Sequence, residues 1–438
     1  MRNRRWSVAA VVAAGLSGLA LAVTAPPPYL VDVAAFAGAV NATPGTGQTV
    51  TPELSAFYEI DSASLPDGPG VLIKAEEILD APQGVDVYRI MYSSEDLQGN
   101  VIPVSGLYAV PDIAVPSRGL PLIGYAHGTT GVGRACGMSQ APFQSETPGF
   151  AHFALQILPM VERGWAVVAS DFAGMGAPGP GSYLVGPLEA RNVLDAIRAV
   201  LVADSRIGSV AVDADRIGAY GTSQGGSSVL STLQIAPDYA PELALKGGMA
   251  LALGLAVPIP GALELVASNP TSTMQNMFML LIAKSYADSF PELVDIDDVL
   301  TPRGKEYLPL LEQYCGQDLA QRVVDIPLGE IVKTPIDNGL IAAMNAAMPL
   351  PAHVATPVVI AQGLADVTIF PAFTHTAVMT ACAMGDSVWY STFPYDDHYT
   401  IRFQARLAGG RIYDWMQDRF DGIPAPTNCA NQLGLGDR

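Results

Sequence analysis

Basic residues are scarce in this chain: 23 Lys and Arg stand against 42 Asp and Glu, a formal net charge of −19. Such a surface repels polyanions, which excludes nucleic acid as a partner and disfavours anionic membranes. Charge of either sign is sparse, at 15% of residues against 50% apolar. A chain with that balance can bury a large core and does not read as disordered. Histidine is limited to five residues and cysteine to four. The histidines are scattered, and no CxxC pair or Cys/His cluster occurs, which excludes the usual zinc patterns. There is no Gly-rich dinucleotide fingerprint after an early strand and no P-loop, so no cofactor is expected. Gly174-Met175-Gly176, with Gly179 and Gly181, reads as a structural turn. Long apolar runs are confined to the N-terminus; the later run 274–283 is too short to span a bilayer.

At the N-terminus, Arg2, Arg4 and Arg5 precede an uncharged stretch, 7–30, rich in Ala, Val, Leu and Gly. Ala20-Leu21-Ala22 and Val23-Thr24-Ala25 both look like small-residue cleavage sites. The reading is a signal peptide over 1–25 and an exported product, secreted or held at the cell envelope. The alternative is an uncleaved anchor, because about 20 apolar residues can cross a bilayer. The triplet Pro26-Pro27-Pro28 ends the run early and favours cleavage. Residues 26–52, rich in Ala, Pro, Thr and Gly, read as a flexible leader. The first cysteine is Cys136, so no lipid-modified cysteine sits near the signal. An even number of cysteines (Cys136, Cys315, Cys382 and Cys429) in an exported chain favours two disulfides, and spacing alone leaves three pairings open.

Strand signals begin near Val71. Segments 85–92 and 101–110 read as antiparallel strands across a turn at Gln98-Gly99-Asn100. The short apolar runs 120–126 and 165–170 read as buried parallel strands. Segment 187–202 carries apolar residues at helical spacing (Ala190, Val193, Leu194, Ile197, Val200, Leu201). A strand over 216–220 leads into a helix from Ser223 onward. Further strands are expected at 357–360 and 388–392, and a closing helix over 401–420. Alternating strands and helices predict an α/β protein with a mostly parallel sheet. Between about Val257 and Ala352 the pattern turns helical, with Pro and Met scattered through it and no clear strand. The domain reading is therefore a core over 53–257, a helical cap over 258–351, and the rest of the core with a C-terminal tail over 352–438.

Gly221-Thr222-Ser223-Gln224-Gly225 matches G-x-S-x-G, in which a sharp strand-to-helix turn exposes a serine at the carboxyl edge of the sheet. A serine hydroxyl is a poor nucleophile until a base takes its proton. In α/β-hydrolases the order is serine, acid, histidine. Asp366, in Gln362-Gly363-Leu364-Ala365-Asp366, follows the 357–360 strand, and His398 lies between the last strand and the closing helix. The expected roles are nucleophile for Ser223, general base and acid for His398, and orienting carboxylate for Asp366. His375 falls in a helix after Pro371 and reads as a surface histidine; His353 precedes the acid and is out of order. Asp396 and Asp397 are too near His398 in sequence to reach round to its Nδ1. Acyl transfer also needs oxyanion donors. One is expected at the N–H of Gln224; the second at an N–H or hydroxyl of Thr129, or next at Thr130, in His127-Gly128-Thr129-Thr130-Gly131.

These residues resemble the secretory lipase family of yeast-lipase-A-like α/β-hydrolases. The likeness runs from Phe57-Tyr58, through Pro66, Gly68-Pro69-Gly70 and Leu72-Ile73, to Tyr125-Ala126-His127-Gly128-Thr129-Thr130-Gly131 and on to Cys429. The elbow, the acid segment and the late histidine follow the family's order, with room for a cap between serine and acid. The resemblance implies the pairings Cys136–Cys315, pinning the cap to the core, and Cys382–Cys429, pinning the tail. The chain departs from the fungal members at the oxyanion loop, where they carry an acidic residue and this chain has His-Gly-Thr-Thr.

The expected activity is hydrolysis of carboxylic esters, lipidic ones such as acylglycerols first, through an acyl-enzyme. The partner is then a small-molecule or lipidic ester, met in solution or at a lipid–water interface. The motifs address the scissile carbonyl and not the acyl tail, so a broad carboxylesterase or a polyesterase is the alternative, and amide cleavage a more distant one. A non-catalytic binding protein on a degenerate hydrolase fold would lack a member of the Ser-Asp-His set, and all three are present. The segment 274–282 reads either as an adaptable pocket lining or as an ordinary buried helix.

Overall fold

The computed structural model describes residues 51–432 apart from 146, 203–204, 209, 255–272, 324–326, 348–352 and 408–410. The expected signal peptide and nearly all of the leader lie outside the described residues. Three strands open the sheet: β1 (Leu72–Glu77), β2 (Val85–Glu95) and β3 (Val101–Pro111). β2 and β3 pair antiparallel in unbroken register from Val85 opposite Pro111 to Glu95 opposite Val101. Their turn is set by Asp96, whose Oδ1 accepts the N–H groups of Gln98 and Asn100.

The rest of the sheet consists of β4 (Leu120–Ala126), β5 (Ala166–Ser170), β6 (Val212–Thr222), β7 (Leu245–Leu251), β8 (Val358–Gly363) and β9 (Val388–Phe393). The nine strands lie in the order β1-β2-β3-β5-β4-β6-β7-β8-β9. From β5 to β9 every neighbour pair is parallel. This is the mostly parallel α/β sheet expected. β6 runs longer than its apolar segment suggested, and β7 was not anticipated.

Parallel strands need covered faces, and here helices supply both covers. Successive strand residues point to opposite sides. Leu122 and Ala126 of β4 enter one core while Ile123 and Tyr125 enter the other; Val358 and Ile360 of β8 separate likewise from Val359 and Ala361. The first core packs α1 (Gly186–Leu201), α2 (Gln224–Tyr239), α3 (Thr273–Ser289) and α4 (Pro371–Ala383). Pro187 stands in the first turn of α1, where a missing N–H costs nothing. The second core packs α5 (Ile401–Leu407) and α6 (Arg411–Phe420), both within the span 401–420 where a closing helix is expected. There Tyr413 meets Trp165 and Tyr220 edge to face, at 5.7 and 5.9 Å between centroids. Such rings contribute about 1 kcal/mol beyond the area they bury.

Between β7 and β8 the described chain is helical, with one isolated bridge between Leu300 and Val332. Among the described residues α3 is the longest element of this insertion, and it ties itself to the loop before α1. Ser285 Oγ accepts the N–H of Tyr183 at 3.0 Å, Tyr286 donates to Leu184 O at 2.9 Å, and Ser289 donates to Gly181 O at 3.0 Å. Met277 and Met279 are buried in the first core, as an ordinary packed helix requires. Among the described residues no helix is long and apolar enough to cross a membrane.

Candidate active site

Ser223 stands between the end of β6 and the first residue of α2, with φ 62° and ψ −123°. A left-handed φ is costly for a residue with a Cβ and persists only where surrounding contacts impose it. Here Ser223 N–H donates to Leu251 O, while its carbonyl accepts Gly254 N–H, each at 2.9 Å. The turn also forces the start of α2 against β4. A Cβ placed on Gly225 would stand 1.9 Å from Ala126 O, so glycine is required there. The same turn leaves Gln224 as the first helical residue, its N–H without a carbonyl one turn earlier.

Asp366 follows β8 and is 2% exposed. Its Oδ1 accepts the N–H groups of Thr368 and Ile369, both at 2.8 Å, and its Oδ2 accepts Gln362 Nε2 at 3.2 Å. Those donors fix the carboxylate's orientation. His398 sits on the loop after β9, which is fastened to the acid loop by Leu364 N–H to Phe393 O and Ala365 N–H to Asp396 O. Asp397 Oδ1 accepts the N–H groups of Tyr399 and Thr400, forming the turn that leads into α5. The His398 ring lies between Asp366 Oδ2, 2.8 Å from Nδ1, and Ser223 Oγ, 2.9 Å from Nε2. With Nδ1 donating to the carboxylate, Nε2 is left as the acceptor for the serine hydroxyl.

The alternative candidates His375, His353 and Asp396 do not join this chain of hydrogen bonds. His375 is exposed on α4, its ring 6.0 Å from that of Tyr390, and His353 Nδ1 pairs with Asp386. Asp396 Oδ2 accepts Gln404 Nε2 at 2.8 Å.

The loop after β4 packs against the elbow: a Cβ built on Gly128 would lie 3.8 Å from Ser223 Cβ. His127 beneath it is fully buried, which lowers its pKa, and its Nδ1 and Nε2 face Gly128 O at 2.6 Å and Asp171 O at 3.1 Å. Thr129 Oγ1 donates to Tyr183 Oη at 3.2 Å. Thr130 is buried, its Oγ1 turned to Met175 Sδ at 3.6 Å, while its carbonyl accepts Gly316 N–H at 2.7 Å. That last bond lies beside the Cys136–Cys315 disulfide; the second disulfide is Cys382–Cys429. Both pairings are those that the resemblance implied.

One residue at the site escaped the sequence reading. Glu189, fully buried in the first turn of α1, accepts the side-chain amide of Gln224 at 2.8 Å and the hydroxyl of Ser228. Burial pushes its pKa up to about 7. A carboxylate on the apolar stripe of a helix was the signal available. Among the described residues no group of three or more His, Cys, Asp or Glu side chains is placed to hold a metal ion.

The family model for secretory lipases matches residues 140–428. A probable inactive lipase of Mycobacterium tuberculosis is 24% identical over 377 residues, covering 81% of this chain and 79% of that one. Lipase A of Arthroderma benhamiae is 24% identical over 365 residues, covering 78% and 72%. Among solved structures, Candida antarctica lipase A superposes with a TM-score of 0.67 at 17% identity, over 87% of this chain and 92% of that one. The rice cell wall degrading esterase LipA of Xanthomonas oryzae gives 0.65 at 16% identity, over 81% and 100%. At such identities the structural likeness speaks to the fold, that of an α/β-hydrolase.

Proposed function

We propose that this chain, which belongs to the secretory lipase family, is an active serine hydrolase of carboxylic esters. The reading rests on one observation: an unbroken hydrogen-bond chain from Ser223 Oγ through the His398 ring to the Asp366 carboxylate. One relative is described as a probable inactive lipase; here each of the three side chains is present and joined to the next.

In the proposed mechanism His398 Nε2 takes the Ser223 proton as Oγ attacks the ester carbonyl. The tetrahedral oxyanion is held by the N–H of Gln224 and by the backbone N–H of Thr129, since the Thr129 hydroxyl is given to Tyr183 and the Thr130 hydroxyl is turned to Met175. His398 then gives its proton to the leaving alcohol, and the Ser223 acyl ester remains. Water, deprotonated by His398, attacks that ester and releases the acid, and the proton returns to Ser223. Asp366 keeps the imidazole in the productive tautomer and stabilises its cation.

Lipidic esters are the proposed substrate class. Apolar side chains stand exposed on the loops that carry the acid and the base: Val367 is 77% exposed, Phe370 51% and Tyr395 95%. A rim of that kind suits the alkyl tail of an ester. The segment 258–351, helical where it is described, is proposed as the cap over the acyl site, and export through a cleaved signal at 1–25 as the route to the substrate.

Hydrolysis of p-nitrophenyl esters from acetate to palmitate, with Ser223→Ala alongside, tests the reading. The expected result is an active wild type that prefers the longer chains and an inactive variant. A preference for acetate would point to a short-chain carboxylesterase. Activity that survives in Ser223→Ala would remove Ser223 from the chemistry.

A further inference from the structure

We propose that Glu189 is a positioning residue that orients both halves of the oxyanion hole, an inference that rests on the reading of Ser223 as nucleophile. It touches no reacting atom and would act through Gln224 and Thr129.

Two donors at the start of α2 bond the buried carboxylate: the side-chain amide of Gln224, 2.8 Å from Oε1, and the hydroxyl of Ser228 on Oε2. The backbone N–H groups of Leu184 and Val185 also favour its charge, while the Val185 N–H is bonded to Ser182 O at 3.2 Å. Among the described residues no cation is counted with the groups that act on it most strongly. A carboxylate buried without a counter-ion is costly, and the donors are its compensation. A leucine at this position would avoid the cost altogether, so the packing of α1 alone does not account for an acid here.

The two sets of donors lead to the two sides of the proposed hole. Gln224 carries the first donor on its own backbone. Its side chain has one anchor among the described residues, where Gln224 Oε1 is buried with no partner. Glu189 therefore determines where the Gln224 side chain lies, and through it the rotation of the first turn of α2. On the other side, Leu184 holds a left-handed φ of 55°, a strained conformation for a branched side chain. The Leu184 N–H favours the charge of the carboxylate, and the neighbouring Tyr183 receives the hydroxyl of Thr129 at 3.2 Å. One carboxylate thus holds the helix that bears the first donor and acts on the loop against which the second leans.

The test uses the full-length enzyme with a soluble ester, p-nitrophenyl butyrate, and a trifluoromethyl ketone as a mimic of the tetrahedral oxyanion. Glu189→Gln removes the charge and gives the site two N–H donors where acceptors are needed. Gln224→Met keeps the backbone N–H and the side-chain volume and removes only the tethered amide, so it serves even if the first variant does not fold. Each folded variant is expected to lose about 10- to 100-fold in kcat with KM changed less than about twofold, since full removal of an oxyanion donor costs about 100- to 1,000-fold. Binding of the ketone should weaken by the same factor as kcat. The double variant should lose little more than the worse single one.

Unchanged kcat in the folded variants, or a loss confined to KM, overturns the proposal. Labelling of Ser223 by a fluorophosphonate separates the two levels. If wild type is labelled and hydrolyses the ester while Glu189→Gln and Gln224→Met are unimpaired, the positioning role alone has failed. If wild type is neither labelled nor active, the reading of Ser223 fails and the positioning role falls with it.

Discussion

Tyr183 and Phe278 lie with ring centroids 6.2 Å apart and planes 18° from parallel. The first precedes α1 in the core and the second belongs to α3 in the insertion, so their stack joins the insertion to the core. The Tyr183 hydroxyl meanwhile meets Thr129. The contact therefore links the position of α3 to the loop proposed to stabilise the oxyanion. Tyr183→Phe keeps the stack and removes the hydroxyl. A lost hydrogen bond of about 1 kcal/mol corresponds to roughly a fivefold drop in kcat, with the melting temperature held. Steady-state kinetics on a soluble ester, beside a thermal melt, check this. A fall in melting temperature that accounts for the lost activity would mean the hydroxyl serves folding and not the site.

Asp366→Asn separates the charge of the acid from its shape. The backbone donors at Thr368 and Ile369 can still bond the remaining carbonyl oxygen. The amide nitrogen would then face His398 Nδ1 and demand an acceptor there, which leaves Nε2 protonated and unable to take the Ser223 proton. The expected outcome is a fall in kcat of about 10,000-fold in a protein that melts close to wild type. Pre-steady-state release of p-nitrophenol would show acylation itself slowed. A variant within tenfold of wild type would mean that Asp366 is not the partner on which His398 depends.

The two disulfides close loops of different size. Cys136 and Cys315 are 179 residues apart in sequence, Cys382 and Cys429 47 apart. If closure entropy governs, losing the longer bridge costs about 1 kcal/mol more than losing the shorter. Paired Cys→Ser variants compared by denaturant unfolding test this ordering. Activity should also divide them, because the long bridge neighbours the Gly316 N–H that holds Thr130. Removal of Cys136–Cys315 is expected to lower kcat, and removal of Cys382–Cys429 to leave it within about twofold. The reverse ordering would show that the oxyanion loop does not rely on the insertion.

Much of the fold was legible because each element repeats one local rule. β4 reads as a continuous apolar run since both its faces are covered, and 120–126 are its observed bounds. β7 does not read as a strand because Lys246-Gly247-Gly248 breaks the run. The reason is three-dimensional: a Cβ on Gly247 would lie 2.9 Å from the Trp415 ring of α6, and no local pattern announces a helix some 170 residues downstream. The Ser223, Asp366 and His398 set could be read in order along the chain, since each sits just beyond a strand end. Glu189 was harder. It stands four residues before Val193 and eight before Ile197, on the apolar stripe of α1, so a charge out of place was visible. Its partners were not, because Gln224 and the 184–185 backbone reach it only after β6 and α2 are packed.

Glu189 also makes a prediction about stability and pH. Its carboxyl has an ordinary value of 4.5 when unfolded and is raised to about 7 when folded, first by burial. The folded state therefore holds a proton that the unfolded state releases between those values, and stability falls as pH rises through that window. The penalty is absent below about pH 4.5 and complete above about pH 7. Its ceiling is roughly 3 kcal/mol, from about 1.4 kcal/mol per pH unit. The ionisable groups that feel this carboxylate are Tyr183 before α1 and Tyr286 on α3, and both have their pKa raised, chiefly by burial, well above the window. They do not titrate within it. Other buried acids, Asp171 and Asp195, are also raised by burial, so wild type alone would not isolate the effect. The difference between wild type and Glu189→Gln does, because the amide has no proton to lose. Unfolding free energies of the two proteins, taken by denaturant from pH 4.5 to 7.5, should converge or cross as pH rises, with wild type losing ground. A difference that stays flat across that range would mean that Glu189 is already ionised throughout it, its hydrogen-bond donors outweighing the cost of burial.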